Sequence, residues 1–198
     1  MPIYKYFTEE RFALAFVRKG QMRFGSLAHY RGLEDGGVRG DPKDGTLHYA
    51  PAEGLEITMV ADGRKLTGTS FTTAAQGMFI YCASNELSGA RAAELGAFCV
   101  EIKDLDTIVA RLRARACPRS RLDYAGLFYG SIEYRALDTI PGVDWAFPEK
   151  VALIKPPEYA DQNEFRIVLP LKPNVTSGDA NVMVEIGNLE AITELHRF

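Results

Sequence analysis

The sequence predicts an α+β fold with a mainly antiparallel sheet. After an opening strand, helix and strand, the chain offers many strand-sized runs with few helices between them, and it lacks the regular strand-helix alternation of a doubly wound sheet. Its 198 residues, 46% hydrophobic and 25% charged, suit one sizeable core, so residues 1–198 are expected to form a single domain.

The elements follow in order. Ile3–Phe7 is aromatic and apolar enough for a strand. Thr8 is placed to cap a helix whose first turn holds Glu9 and Glu10, whose last turn holds Arg18 and Lys19, and which Gly20 stops. Residues 21–25 alternate, which turns Met22 and Phe24 inward and Arg23 to the opposite face. Residues 31–46 (RGLEDGGVRGDPKDGT) read as a long loop. Residues 55–60 and 65–71 read as a hairpin turning at Asp62-Gly63, and residues 77–84 as a buried strand. A strand at 97–103 leads to a helix capped by Asp104, with Leu105, Ile108, Val109 and Leu112 on one stripe. Strands are expected at 126–137, at 165–169 before Pro170, and at 181–186, whereas 150–154 fits either state.

Composition excludes several functions. A net charge of −3 gives no global attraction to nucleic acid or an anionic membrane. No apolar stretch is long enough to span a bilayer and the start lacks a signal pattern, so a cytoplasmic location is expected. Cys82, Cys99 and Cys117 are widely spaced and suit reduced thiols rather than a disulfide framework. Neither a Walker-type loop nor a Gly-x-Gly-x-x-Gly motif occurs, and the cysteines and His29, His48 and His196 lack metal-ligand spacing, so no metal is expected.

Three segments can carry chemistry. The run RLRARACPRSR places Arg111, Arg113, Arg115, Arg119 and Arg121 close together, as a phosphate-binding patch or as a solvated helix face and turn. The block from Arg23 through Ser26 and Tyr30 to Arg31 gathers cations, a hydroxyl and an aromatic ring at a strand end, able to hold a phosphate and stack a flat ring, or simply an edge of ordinary polarity. KPPEYADQNEFRIVLPL puts Gln162 and Glu164 two residues apart at a strand entrance, hence on one face; an amide and a carboxylate there can serve catalysis, although strand carboxylates are common in this chain.

The opening IYKYFTEERFALAFVRKGQMRFGSL, the loop YRGLEDGGVRGDPKDGT, the strand FIYCAS and the closing EYADQNEFRIVL resemble a widespread, poorly characterised bacterial family whose members open with Lys-Tyr and end with a Glu-x-Arg strand. More distantly, the layout resembles the ADP-ribosyltransferase superfamily. Two details differ from that layout: the Arg-x-x-Ser element falls on the second strand, and the central Ser-Thr-Ser pattern is present as Thr69-Ser70-Phe71-Thr72. The resemblance implies a split β-sheet with a few short helices and NAD, as substrate, in the cleft, with ADP-ribose passing to a macromolecular acceptor, protein or nucleic acid, in a toxin or phage-defence setting. It assigns Glu164 to the ribose hydroxyl and Gln162 to the acceptor. Arg23 or Arg31 would take the pyrophosphate, Tyr30 or Tyr81 would offer a stacking face, and Ser26, Ser70 or Ser84 would meet the ribose or the nicotinamide amide. The alternatives are a non-catalytic nucleotide- or protein-binding module and a nucleic-acid-binding protein using the arginine run.

Overall fold

A computed structural model of the chain describes residues 1–32, 43–49, 54–68, 70–136, 139 and 147–198. β1 (Ile3–Phe7) leads to α1 (Glu10–Lys19) and β2 (Gln21–Ser26). Glu9, not Thr8, occupies the N-cap and makes no side-chain cap bond; the helix starts one residue later than the capping pattern implies. Gly20 ends α1 at φ 61°, its N–H reaching Ala15 O and Phe16 O, and a Cβ there would lie 2.5 Å from the Gly187 carbonyl. α2 (Leu27–Arg31) is a single turn capped by Ser26, whose Oγ accepts the His29 N–H at 3.0 Å.

β3 (Thr46–Tyr49) follows, and residues 33–42 of the predicted loop lie outside the described residues. β4 (Leu55–Thr58) and β5 (Lys65–Gly68) form the expected hairpin, but Phe71 belongs to β6 (Phe71–Ala74), which pairs with β3 instead. Next come β7 (Met78–Ser84), α3 (Gly89–Leu95), β8 (Phe98–Ile102) and α4 (Leu105–Arg113). The predicted strand at 126–137 is two strands, β9 (Phe128–Ser131) and β10 (Glu133–Tyr134), which join different sheets, and Leu137 lies outside the described residues. The ambiguous 150–154 segment divides between α5 (Pro148–Val151) and β11 (Ile154–Lys155), which pairs in parallel with β10. β12 (Glu164–Pro170), β13 (Asn181–Glu185) and β14 (Thr193–Arg197) complete the chain.

Among the described residues, eight strands form one antiparallel sheet. Its main path runs β9, β12, β7, β1, β8, β14. β7 is the axis. One of its edges pairs along its whole length with β12, from Glu164↔Ser84 to Pro170↔Met78. The other edge is shared: β2 takes Phe79 and Ile80, while β1 takes Ser84. β2 carries β13 and β1 carries β8, so the sheet forks on that side, and Tyr81, Cys82 and Ala83 have no strand partner there. Mixed α+β structure, a mostly antiparallel sheet and a few short helices are therefore present.

The two-residue period of the strands separates the sheet's faces. Phe16 of α1 and Ile108 and Leu112 of α4 pack with Phe24, Tyr81 and Ile167 in the largest core cluster. Full burial of side chains of this size stabilises by about 1.5–3 kcal/mol each. On the alternate positions, Leu27 of α2 packs with Ile80 and Val168, and Ala92 of α3 with Tyr6 and Cys99. Between these two smaller clusters the sheet carries polar residues. Among the described residues no helix is long and apolar enough to cross a membrane.

Candidate functional site

The fork opens a cleft of about 620 Å³ on the face between α2 and α3. β12 supplies its floor because Glu164 and Arg166, two residues apart, stand on the face that also carries Cys82 and Ser84 of β7. Arg23 of β2 and Lys5 of β1 stand on the two arms of the fork.

Four charged side chains lock together in the floor. Arg166, 1% exposed, donates from both terminal nitrogens to Asp44 at 2.8 and 2.7 Å, and from Nε to Glu164 Oε1 at 2.7 Å. It also donates to the Ala152 carbonyl at 2.8 Å. Lys155 Nζ lies 2.8 Å from Glu164 Oε2 and 3.9 Å from Asp44, and donates to Gln162 Oε1 at 2.7 Å. Asp44, Lys155, Glu164 and Arg166 are each 7% exposed or less, and their two positive and two negative charges cancel. Burial on this scale is tolerated only because every charge is paired.

The electrostatics of Glu164 follow. Burial opposes its ionisation, but the charges of Arg166 and then Lys155 outweigh it and hold the carboxyl far below the ordinary range. Burial, with the Glu164 charge adding to it, pushes the neighbouring Cys82 thiol up to about 12, so Cys82 is a neutral neighbour rather than a nucleophile. The backbone is held as firmly: the Glu164 N–H donates to Tyr134 Oη at 2.8 Å, and Asn85 Nδ2 donates to the Glu164 and Asn163 carbonyls at 3.2 and 3.1 Å.

Gln162 does not share a strand face with Glu164. It closes a 3-10 helix, Pro157–Gln162, begun by the Pro156-Pro157 pair, and Asn163 then turns left-handed at φ 42°, so β12 begins only at Glu164. Gln162 still lines the cleft, coupled to Glu164 through Lys155.

The other sequence-based candidates divide. Arg23, Tyr30, Tyr81 and Ser84 line the cleft with Glu164. Arg23 is exposed and, among the described residues, has no carboxylate partner. Tyr30 lies on Gly25, where a Cβ would come within 2.6 Å of its ring, and burial keeps its phenol protonated. Tyr81 is 2% exposed, wedged between Phe16 and Phe24 at centroid distances of 6.0 and 5.6 Å, so its ring offers no free face. Ser84, 2% exposed, accepts the Glu86 N–H at 3.2 Å. Ser26, Arg31 and Ser70 do not line the cleft: Ser26 caps α2, Arg31 donates to the Asp44 carbonyl at 3.0 Å, and Ser70 is exposed before β6.

Lys5, Asp44, Lys155 and Arg166 were not among the sequence-based candidates. Lys5 Nζ donates to the Cys82 carbonyl at 2.6 Å and stands 4.6 Å above the Tyr81 ring, filling the fork. Arg91 of α3 also lines the cleft, paired with Glu94 at 2.6 Å. Among the described residues the cleft is thus lined by five cations and two carboxylates, in a chain of net charge −3. The arginine run is used differently. Arg111 donates to the Asn188 carbonyl, Arg113 to the Leu127 carbonyl at 3.2 Å, and Arg121 pairs with Asp179 at 2.7 Å, which leaves Arg115 and Arg119 as its exposed remainder.

The seat of Tyr30 is directly testable. Gly25→Ala is expected to expel the ring from the cleft wall while Ser26 still caps α2. Tyrosine fluorescence and NMR ring-current shifts at Arg23 read the displacement, and an unchanged spectrum would show that Tyr30 does not depend on Gly25.

No family model matches the chain, and no curated protein or solved structure matches it.

Proposed function

We propose that the chain is an NAD-dependent enzyme of the ADP-ribosyltransferase kind, acting at the fork of the sheet. The observation that carries this reading is that Glu164 and Gln162 share one cleft with Arg23 and Tyr30. Its volume, about 620 Å³, lies within the range of small-molecule sites. Its excess of positive charge suits a dinucleotide pyrophosphate, with Arg23 the cation best able to meet it because, among the described residues, no carboxylate pairs with it.

The reaction asks little of the protein beyond positioning and charge. The bond from the nicotinamide nitrogen to ribose C1 breaks, and its electron pair neutralises the pyridinium nitrogen as nicotinamide leaves. Positive charge develops on the ribose, and an acceptor nucleophile forms the new bond to C1 and releases its proton to solvent. A carboxylate beside that ribose is favoured more in the transition state than before it. Glu164, held ionised by Arg166 and Lys155, supplies the carboxylate, and Gln162 stands near enough to orient the acceptor.

A second reading has its own support. Both Glu164 oxygens are already engaged by Arg166 and Lys155, which suits a nucleotide-binding module without catalysis. Titration with NAD and assay of nicotinamide release separate the two. The enzyme reading expects saturable binding with release, and Arg23→Ala weakening binding about tenfold; binding without release supports the module, and no binding removes both.

A further inference from the structure

Asp44 reaches the cleft floor from a different part of the chain than Glu164, yet it accepts from each terminal nitrogen of Arg166, whose Nε and Nη2 also donate to Glu164 Oε1 at 2.7 Å and Oε2 at 3.2 Å. Without Asp44, Glu164 would stand between two cations, Arg166 and Lys155, and the group would carry a net positive charge. We propose that Asp44 is a positioning residue that keeps the Glu164 carboxylate effective by holding Arg166 and cancelling its charge. This inference rests on the proposed reaction at Glu164.

The consequence has an unusual sign. An extra positive charge beside the ribose opposes the developing cation but attracts the anionic pyrophosphate. Loss of Asp44 should therefore slow turnover while NAD binds as well or better. A merely structural role predicts the opposite pairing, with both lost together. Arg31, whose guanidinium holds the Asp44 carbonyl at 3.0 Å, and the Thr46 N–H bonded to the Lys43 carbonyl at 2.8 Å fix the turn that presents Asp44.

The test compares kcat for nicotinamide release with Kd for NAD, by calorimetry, in wild type, Asp44→Asn, Asp44→Glu and Lys155→Gln. Asp44→Asn is expected to lower kcat on the order of 10- to 100-fold with Kd unchanged or lower. Asp44→Glu, which keeps the charge, should recover most of the rate. Lys155→Gln changes the group's charge the other way and should weaken NAD binding without matching the Asp44→Asn loss in kcat, so the sign remains readable if Asp44→Asn does not fold. Unchanged kcat in Asp44→Asn, or a fall in kcat accompanied by weaker binding, overturns the inference alone. An absence of release by wild type overturns the proposed reaction and this inference with it.

Discussion

Glu164→Gln is expected to lower nicotinamide release from NAD by about 100- to 1,000-fold, mostly in kcat. The amide keeps the volume and much of the hydrogen bonding but removes the negative charge that the developing ribose cation requires. KM should change little, because the pyrophosphate contacts assigned to Arg23 remain. The wild-type pH profile carries a second signature. Arg166 and Lys155 hold the Glu164 carboxyl far below its ordinary range, so the folded protein keeps it ionised throughout the mildly acid region. The rate should therefore show no acid limb near pH 4–5 from a free glutamate. A limb there that vanishes in Glu164→Gln would show that Glu164 titrates normally and that its ion pairs open in the working enzyme.

Arg166→Leu is expected to destabilise the fold by roughly 3–5 kcal/mol, because it leaves Asp44 and Glu164 buried with only Lys155 between them. The Ala152 carbonyl loses its donor as well. Arg166→Lys should lose less but remain below wild type, since an ammonium cannot reproduce the bidentate grip on Asp44 together with the Nε bond to Glu164. Equilibrium urea unfolding measures both variants, and a change below about 1 kcal/mol for Arg166→Leu would mean that the network adds little. The pH dependence has a definite sign. The folded Glu164 pKa is depressed, so its contribution is complete above the unfolded value, about 4.3, and is lost as pH falls through the folded value. Relative to their stabilities at pH 7, wild type should thus lose more below pH 4 than Glu164→Gln, which has no carboxylate at this position to titrate.

Local pattern made the strands and most helices legible. Alternation in β2 placed Met22 and Phe24 inside and Arg23 outside, and Asp104 caps α4 through the Thr107 N–H, as its position implied. α3 was missed although Ser88 stands before the run GARAAEL and accepts the Arg91 N–H at 3.5 Å, a capping signal that was available. The fork was not legible, because the sharing of one β7 edge by β1 and β2 is a non-local choice that no periodicity encodes.

The floor of the cleft was half legible. Glu164 drew notice as a strand-entrance carboxylate, but its partners are set by tertiary structure: Asp44 and Arg166 lie 122 residues apart. One signal pointed to them. Arg166 interrupts the otherwise apolar run of FRIVLP, and Lys155 follows VALI before two prolines. A single cation inside a strand of apolar neighbours implies a buried carboxylate partner, because burying it alone is too costly. Gln162 was misplaced because Asn163 adopts a left-handed turn that strand spacing cannot foresee.

At the centre of the proposed function is cleavage of the nicotinamide bond of NAD at Glu164 in the forked-sheet cleft. Proton NMR of NAD incubated with purified protein tests it most directly, since free nicotinamide gives resolved ring resonances. These resonances should appear with wild type above the buffer rate and fall to near that rate with folded, NAD-binding Glu164→Gln. Intact NAD with wild type, or equal release by the two proteins, would contradict it.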